Sequence, residues 1–167
     1  MNSQIKYINH KDIDAEKWAL CIENAENSRM YANIWHLDRT AIVWDALVYG
    51  DYKFVMPLPV RSKFGFSYVY QPLFCQQLGI FPEPQTSVTE EFQKALFEKF
   101  KYADIHLNSQ NHFDRKSLDF ELFPRDNFLL DLKYNYKSLA RNYSTNTKRN
   151  IAKAAKNNLQ YIVGIRL

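Results

Sequence analysis

The alternation of two hydrophobic periods along the chain most constrains its fold. Helical spacing is predicted where apolar side chains recur every three or four residues, at residues 14–27, 87–100, 136–142 and 144–158. Strands are predicted where apolar or β-branched residues run or alternate, at residues 5–8, 41–49, 52–60, 64–70, 102–108, 117–123, 127–132 and 159–165. The order β-α-β-β-β-α-β-β-β-α-α-β predicts an α/β (α+β) fold, with a mixed β-sheet flanked by helices.

Residues 41–60 carry the clearest local signal, that of a β-hairpin. Gly50-Asp51 lies between two β-rich runs and favours a two-residue turn of the II′ kind. Pro57 and Pro59 cannot donate ladder hydrogen bonds, so we expect an edge or a bulge late in the second strand. Farther along, Ser87 and Glu90 have the capping-box spacing that predicts the start of a helix.

The strand predicted after this hairpin carries a row of aromatic side chains on one face. The row consists of Phe64, Phe66, Tyr68 and Tyr70. The interpretation we favour is the inner face of a sheet, and the alternative is a platform on which nucleic-acid bases stack. Arg61 and Lys63 precede the row and are candidates for binding anionic groups in a groove.

Length and composition favour one domain over residues 1–167. The chain has 46% hydrophobic residues, which excludes a disordered chain. No apolar run has the roughly 20 residues of a membrane span, and no signal-peptide core follows Met1. The two cysteines form no disulfide or metal pattern, so we expect a cytoplasmic protein with no membrane span.

Charge divides the chain into two parts. All 18 acidic residues lie at or before Asp131, so residues 1–132 carry a net charge of −4 and residues 133–167 carry +8. Such an asymmetry indicates an anionic partner for the C-terminal part, or else a solvated basic face.

The predicted helix over residues 144–158 concentrates this positive charge. Its basic residues are Lys148, Arg149, Lys153 and Lys156. At about 100° per residue the last three share a narrow stripe, and Lys148 lies to one side. Two interpretations stay open, a surface that binds the phosphate of a small substrate or of RNA and a solvated surface helix.

Glycine and histidine spacing excludes several kinds of site. The four glycines are at least 14 residues apart, so no pair can build a Gly-rich phosphate loop. We therefore expect no nucleotide or coenzyme A held by a loop of that kind. His106 and His112 match no zinc pattern, so we expect no metal, and no residue pattern identifies a catalytic group.

The segment at residues 143–154, Y-S-T-N-T-K-R-N-I-A-K-A, resembles the Y-S-x-N-x-[KR]-R-N-I-x-K-A segment of FemAB-like acyltransferases, which belong to the GNAT superfamily of N-acyltransferases. The stretches W-D-A-L-V at 44–48 and M-P-L-P-V-R at 56–61 are also similar. So are Y-Q-P at 70–72 and Q-Q-L-G at 76–79.

This resemblance implies a GNAT-like domain that forms the N-terminal half of a two-half enzyme. It implies an acyl-CoA or aminoacyl-tRNA donor held outside this chain, and a second GNAT-like half in the same chain or another copy. It also implies that Lys148, Arg149 and Lys153 attract the anionic groups of an acceptor or precursor, while Arg61 and Lys63 are weaker candidates. The alternatives are a non-catalytic module that binds anions or RNA, including tRNA, and a truncated GNAT-like domain that self-associates.

Overall fold

The computed structural model describes residues 4–113 and 120–160 and divides the chain into two compact units, unit 1 at residues 1–122 and unit 2 at residues 123–167. Unit 1 holds four strands, β1 (Ile5–Ile8), β2 (Trp44–Tyr49), β3 (Phe54–Lys63) and β4 (Phe66–Val69), and three helices, α1 (Ala15–Glu23), α2 (Ile34–Thr40) and α3 (Thr86–Lys99). Unit 2 holds α4 (Tyr136–Arg141) and α5 (Thr145–Lys156). The predicted class, strands in a sheet flanked by helices, is confirmed, whereas the GNAT-like fold and the single domain over residues 1–167 stay predictions.

The four described strands pair antiparallel, in the order β1-β2-β3-β4, so the predicted mixed sheet is not found among them. Tyr49 pairs with Phe54, so β2 and β3 are joined by the four-residue loop 50–53. The predicted two-residue turn is therefore wrong, although Gly50 does take a positive φ of 60°. Tyr52, predicted to begin the second strand, lies in this loop instead. Its hydroxyl accepts a hydrogen bond of 2.8 Å from the Asp14 backbone amide.

The two prolines of β3 lie where the sequence predicts an edge. The amide of Val55 donates to the Phe81 carbonyl at 2.7 Å, on the side of β3 away from β2. Because amide directions alternate along a strand, the nitrogens of Pro57 and Pro59 face that same side. There β4 begins to pair only at Val60, so neither proline removes a ladder hydrogen bond between β2 and β3.

Two apolar clusters cover opposite faces of the sheet. On one face α1 and α2 contribute Trp18, Ile22 and Leu37, which pack with Trp44 and Val55 of the strands. The other face holds Leu47, Met56 and Leu58 of the strands against Phe92 and Leu96 of α3. Alternation in β2 and β3 sends successive side chains to opposite faces, so unit 1 has a helix–sheet–helix layering.

Several predicted elements differ from the structure. Helix α3 begins one residue before Ser87, with Gln85 at its N-cap, so the capping box is wrong. For residues 31–36 the sequence allows either a loop or a helical turn, and the structure shows a short 3₁₀ turn at Met30–Ala32 followed by α2. Residues 102–108 form only two isolated parallel bridges, Val69 with Ala103 and Leu78 with Leu107, instead of a regular strand.

The strands predicted in the C-terminal part are also missing from the described residues. Residues 127–132 form no strand there and are exposed. The described part of the predicted strand 117–123 is irregular, and its residues 117–119 lie outside the described residues. Of the predicted strand 159–165, only residues 159–160 are described, without regular structure, and residues 161–165 lie outside.

Candidate anion-binding surfaces

The predicted anion-binding residues fall into the two units. Arg61 and Lys63 lie at the end of β3 in unit 1, whereas Lys148, Arg149, Lys153 and Lys156 lie on α5 in unit 2. The two sets of residues form two separate candidate surfaces, and each is described within its own unit.

Helix α5 begins where the sequence predicts, after Ser144, and it ends at Lys156, two residues before the predicted end at Asn158. Ser144 is its N-cap, and its hydroxyl accepts a hydrogen bond of 3.1 Å from the Thr147 backbone amide. The Ser144 and Thr147 hydroxyl oxygens are 2.9 Å apart, a second contact in the first turn. This cap satisfies one of the amides that a helix start leaves unpaired. No residue of α5 is buried.

Two of the basic side chains of α5 have defined partners. Arg149 donates from Nη2 to the Asn146 side-chain oxygen at 2.8 Å, which orients its guanidinium along the helix surface. Lys148 donates from Nζ to the Arg141 carbonyl at 2.9 Å, at the end of α4. A lysine in that position satisfies a carbonyl that the helix end leaves unpaired, so Lys148 has a structural contact.

The remaining two, Lys153 and Lys156, complete the exposed basic stripe of Arg149, Lys153 and Lys156. Within residues 4–113 and 120–160, no ion pair engages any of these three. The sequence has no Asp or Glu after Asp131, so the segment that carries the stripe supplies no acidic side chain to neutralise it. Such a surface attracts anions and does so more strongly at low salt.

In unit 1 the β3–β4 hairpin carries the aromatic row, and the row does not face the core. Phe64 is 89% exposed and Phe66 66% exposed, whereas Tyr68 and Tyr70 are half-buried. The interpretation of the row as an inner sheet face is therefore wrong for the two phenylalanines. Both lie at the tip of the hairpin, where Phe66 pairs with Lys63, and neither phenylalanine belongs to the apolar cluster that packs against α3.

An open groove of about 650 Å³ runs along this hairpin. We call it the hairpin groove; its principal lining residues are Lys63, Phe64, Phe66, Tyr68, Lys101 and Tyr102, with Lys99 at its side. The Lys63 ammonium lies 5.4 Å from the Phe64 ring centroid, and that of Lys101 lies 6.0 Å from the Phe66 centroid. Among the described residues, no carboxylate lines the groove.

Arg61 has a different partner. Its guanidinium carbon lies 4.2 Å from the centroid of the Tyr70 ring, a cation–π distance. Arg61 is not a lining residue of the hairpin groove, so of the two candidates in unit 1 only Lys63 reaches that groove. Sequence spacing could not find Lys101 and Tyr102, which reach the groove from beyond the end of α3.

A cluster around Asp38 and Asp45 was also missed by sequence reasoning. The Asp38 carboxylate oxygen Oδ1 accepts from the Trp44 indole at 2.8 Å and lies 3.0 Å from His10 Nε2. Asp45 accepts from the His10 backbone amide at 2.9 Å and from the Tyr7 hydroxyl. Burial, together with Asp45, raises the pKa of Tyr7 well above its usual range. These contacts tie β1, α2 and β2 together.

Neither cysteine is suited to act as a thiolate. Cys21 is 8% exposed in the core, and burial raises its pKa to about 11. Burial also raises the pKa of Cys75, against an opposing hydrogen bond from Thr40. Among the described residues, no group of three His, Cys, Asp or Glu side chains could hold a metal ion.

Comparison of the chain with protein families, curated proteins and solved structures finds no match. Across the described residues, no helix has both the length and the apolar character needed to cross a bilayer.

Proposed function

We propose that this chain is the N-terminal, acceptor-binding half of a FemAB-like N-acyltransferase. The observation that carries the proposal is that the segment bearing the family resemblance, residues 143–154, folds as one capped helix with its basic side chains exposed. Arg149, Lys153 and Lys156 would hold the anionic group of an acceptor, and Lys148 would fix the start of the helix.

The element order of unit 1 supports a GNAT-like half. One strand and two helices are followed by three antiparallel strands and a third helix. After α3 the chain runs parallel to the end of β4, where the Asp104 amide donates to the Val69 carbonyl at 3.0 Å. A strand-and-helix order of this kind is compatible with the α+β class that the resemblance implies.

Exposed apolar side chains in unit 2 support the need for a partner half. Four of them lie in one short segment, Phe128, Leu129, Leu130 and Leu132, and they are 65–94% exposed. Large apolar side chains clustered in this way mark surfaces that another protein segment covers. A second GNAT-like half, in the same chain or in another copy, would supply that cover.

The proposed reaction is acyl transfer to an amine. The amine nitrogen attacks the carbonyl carbon of a thioester or ester, the new C–N bond forms, and the thiol or tRNA hydroxyl leaves with the proton that the amine loses. The basic stripe contributes by holding the acceptor in place, so that the reaction between bound acceptor and donor becomes effectively unimolecular. The donor, acyl-CoA or aminoacyl-tRNA, would be held by the second half.

The coding sequence downstream of residue 167 tests this proposal. A second GNAT-like half with a Gly-rich pyrophosphate loop, downstream or in a co-purifying partner, is the expected result. If neither is found, the acyltransferase proposal loses its main support.

A non-catalytic module that binds anions or RNA is the second candidate, and the net charge of +8 over residues 133–167 favours it. Titration with tRNA at several salt concentrations addresses it. A module of this kind binds uncharged and aminoacylated tRNA equally, with an affinity that falls as salt rises. Affinity that depends on neither salt nor the basic stripe contradicts it.

A further inference from the structure

We propose that the hairpin groove of unit 1 binds a nucleotide unit, with the base stacked on Phe66 and Phe64 and the phosphate held by Lys63 and Lys101. This site goes beyond the function proposed above, because it is a different surface with a different ligand chemistry.

The exposed rings are the first step of the argument. Phe66 and Phe64 present large apolar faces to water at the tip of the β3–β4 hairpin. Tyr68 and Tyr102 pack edge to face behind them, with ring centroids 6.1 Å apart. Nucleic-acid bases are flat and stack on such rings with little regard to sequence.

Charge is the second step. Lys63, Lys99 and Lys101 all line the groove, and no carboxylate of the part of the chain that the structure describes lines it. A bare phosphate would leave the rings in water, and a neutral aromatic ligand would leave the lysines without an anion. A flat ring that carries a phosphate satisfies both.

The backbone at Phe64 is the third step. Phe64 and Gly65 are the two central residues of the hairpin turn, with φ values of 52° and 80°. A turn with positive φ at both positions favours Asn-Gly, and a phenylalanine there is strained. Since Phe64 is 89% exposed, core packing does not account for it. Backbone strain is found at binding sites, and it adds to the argument at Phe64, unlike at Phe74, because the rings and lysines of the groove surround it.

Free nucleotides and single-stranded RNA share this chemistry. The experiment therefore titrates the full chain with AMP, with labelled oligo(A) RNA, and with ribose 5-phosphate, which lacks a base. A site for free nucleotides binds AMP as tightly per site as RNA, whereas a strand-binding site favours RNA. Ribose 5-phosphate is expected to bind at least fivefold more weakly than AMP.

Two variants test the groove directly. Phe66→Leu keeps an apolar side chain but removes the flat ring, and Phe64→Asn replaces the strained ring by a residue that the turn prefers. Each is expected to weaken AMP or RNA binding by about fivefold to a hundredfold, the range for one lost stack. Phe64→Asn is also expected to raise the melting temperature, so lost binding cannot be ascribed to unfolding.

Phe74→Asn is the matched control. Phe74 also has a positive φ, 69°, and is 79% exposed, but it does not line the groove. Its variant is expected to leave AMP and RNA binding unchanged. Lys101→Gln is expected to weaken binding and to flatten its salt dependence.

The proposal is overturned if the wild type binds neither AMP nor RNA, or if Phe66→Leu and Phe64→Asn bind as the wild type does. It is also overturned if Phe66→Leu abolishes a concentration-dependent dimer instead, because the groove would then be a contact between copies. An Arg149→Gln/Lys153→Gln variant separates this site from the basic stripe. Binding of AMP or RNA in the hairpin groove should be unchanged in the Arg149→Gln/Lys153→Gln variant. If this variant loses binding and the groove variants do not, the ligand binds the basic stripe of α5 and the groove proposal is wrong.

Discussion

Single buried polar residues fix the irregular part of unit 1. Asn111 accepts the Ile80 amide at 2.6 Å through Oδ1 and donates to the Ile80 carbonyl at 3.1 Å. Asn108 donates to the Leu78 carbonyl at 3.2 Å. These side chains do for residues 78–80 what a neighbouring strand would do, which is to satisfy buried backbone groups. No periodic pattern in the sequence marks them, so sequence reasoning missed them.

Gly79 lies between these contacts and allows the approach of Asn111. Its φ is 116°, and an added Cβ would lie 2.0 Å from Asn111 Oδ1. Gly79→Ala is expected to lower the free energy of unfolding by about 3 kcal/mol, through strain and broken buried hydrogen bonds. Urea denaturation measures it. Gly65→Ala is the control, because Gly65 also has a positive φ, 80°, but an added Cβ there meets nothing within 4 Å. An equal loss in both variants would contradict the role given to Asn111.

The buried thiol of Cys21 makes the free energy of unfolding depend on pH. Burial raises the pKa of this thiol from 9.0 to about 11, so the folded state keeps the proton that the unfolded state releases. The contribution of this thiol to stability is fully present below pH 9 and is lost as the pH rises from about 9 to 11, by roughly 2 kcal/mol. Urea denaturation at pH 8, 9, 10 and 11 should show a smaller fall for Cys21→Ala than for the wild type. Equal falls would contradict it.

At the scale of elements, the spacing of apolar residues predicts those helices and strands that form from interactions close in sequence. The strand at 5–8 was predictable from its short run of apolar residues, and helices α1, α3, α4 and α5 from helical spacing, although the cap predicted for α3 was wrong. The strand predicted at 127–132 is wrong because an apolar run indicates a strand only if a neighbouring strand pairs with it. The apolar run at 127–132 does not by itself show whether a partner strand lies beside it. The basic stripe was predictable from helical spacing, whereas the hairpin groove was not, since its residues meet only in the folded sheet.

Ser144 predicts the stability of the helix that carries the candidate site. Its hydroxyl caps α5, so Ser144→Ala is expected to destabilise that helix by about 1 kcal/mol. Amide hydrogen exchange in α5 should become about fivefold faster. Ser87→Ala is the control: Ser87 lies inside α3 and is not its N-cap, so exchange in α3 should change little. Equal acceleration in both helices would contradict the capping role.

At the scale of the whole molecule, the two units differ in what supports them. Unit 1 buries apolar side chains on both faces of its sheet. Helices α4 and α5 of unit 2 have no buried residue, and the segment 128–132 exposes large apolar side chains. The described part of unit 2 has little core of its own, and a segment of that kind is stabilised by contacts outside it. The positive charge of residues 133–167 was predictable from the sequence. The exposure of the apolar side chains in the segment 128–132 is seen only in the structure.

The most direct test of the central claim is binding of a phosphate-bearing amine to the basic stripe. Glucosamine 6-phosphate is a suitable probe, because it has an amine and a phosphate but no aromatic ring for the hairpin groove. Isothermal titration should show binding that weakens as salt rises and that Arg149→Gln/Lys153→Gln weakens at least fivefold. The control, Lys94→Gln, removes an exposed lysine of unit 1. Binding that is absent, or equal in all three proteins, would contradict the acceptor-binding role of α5.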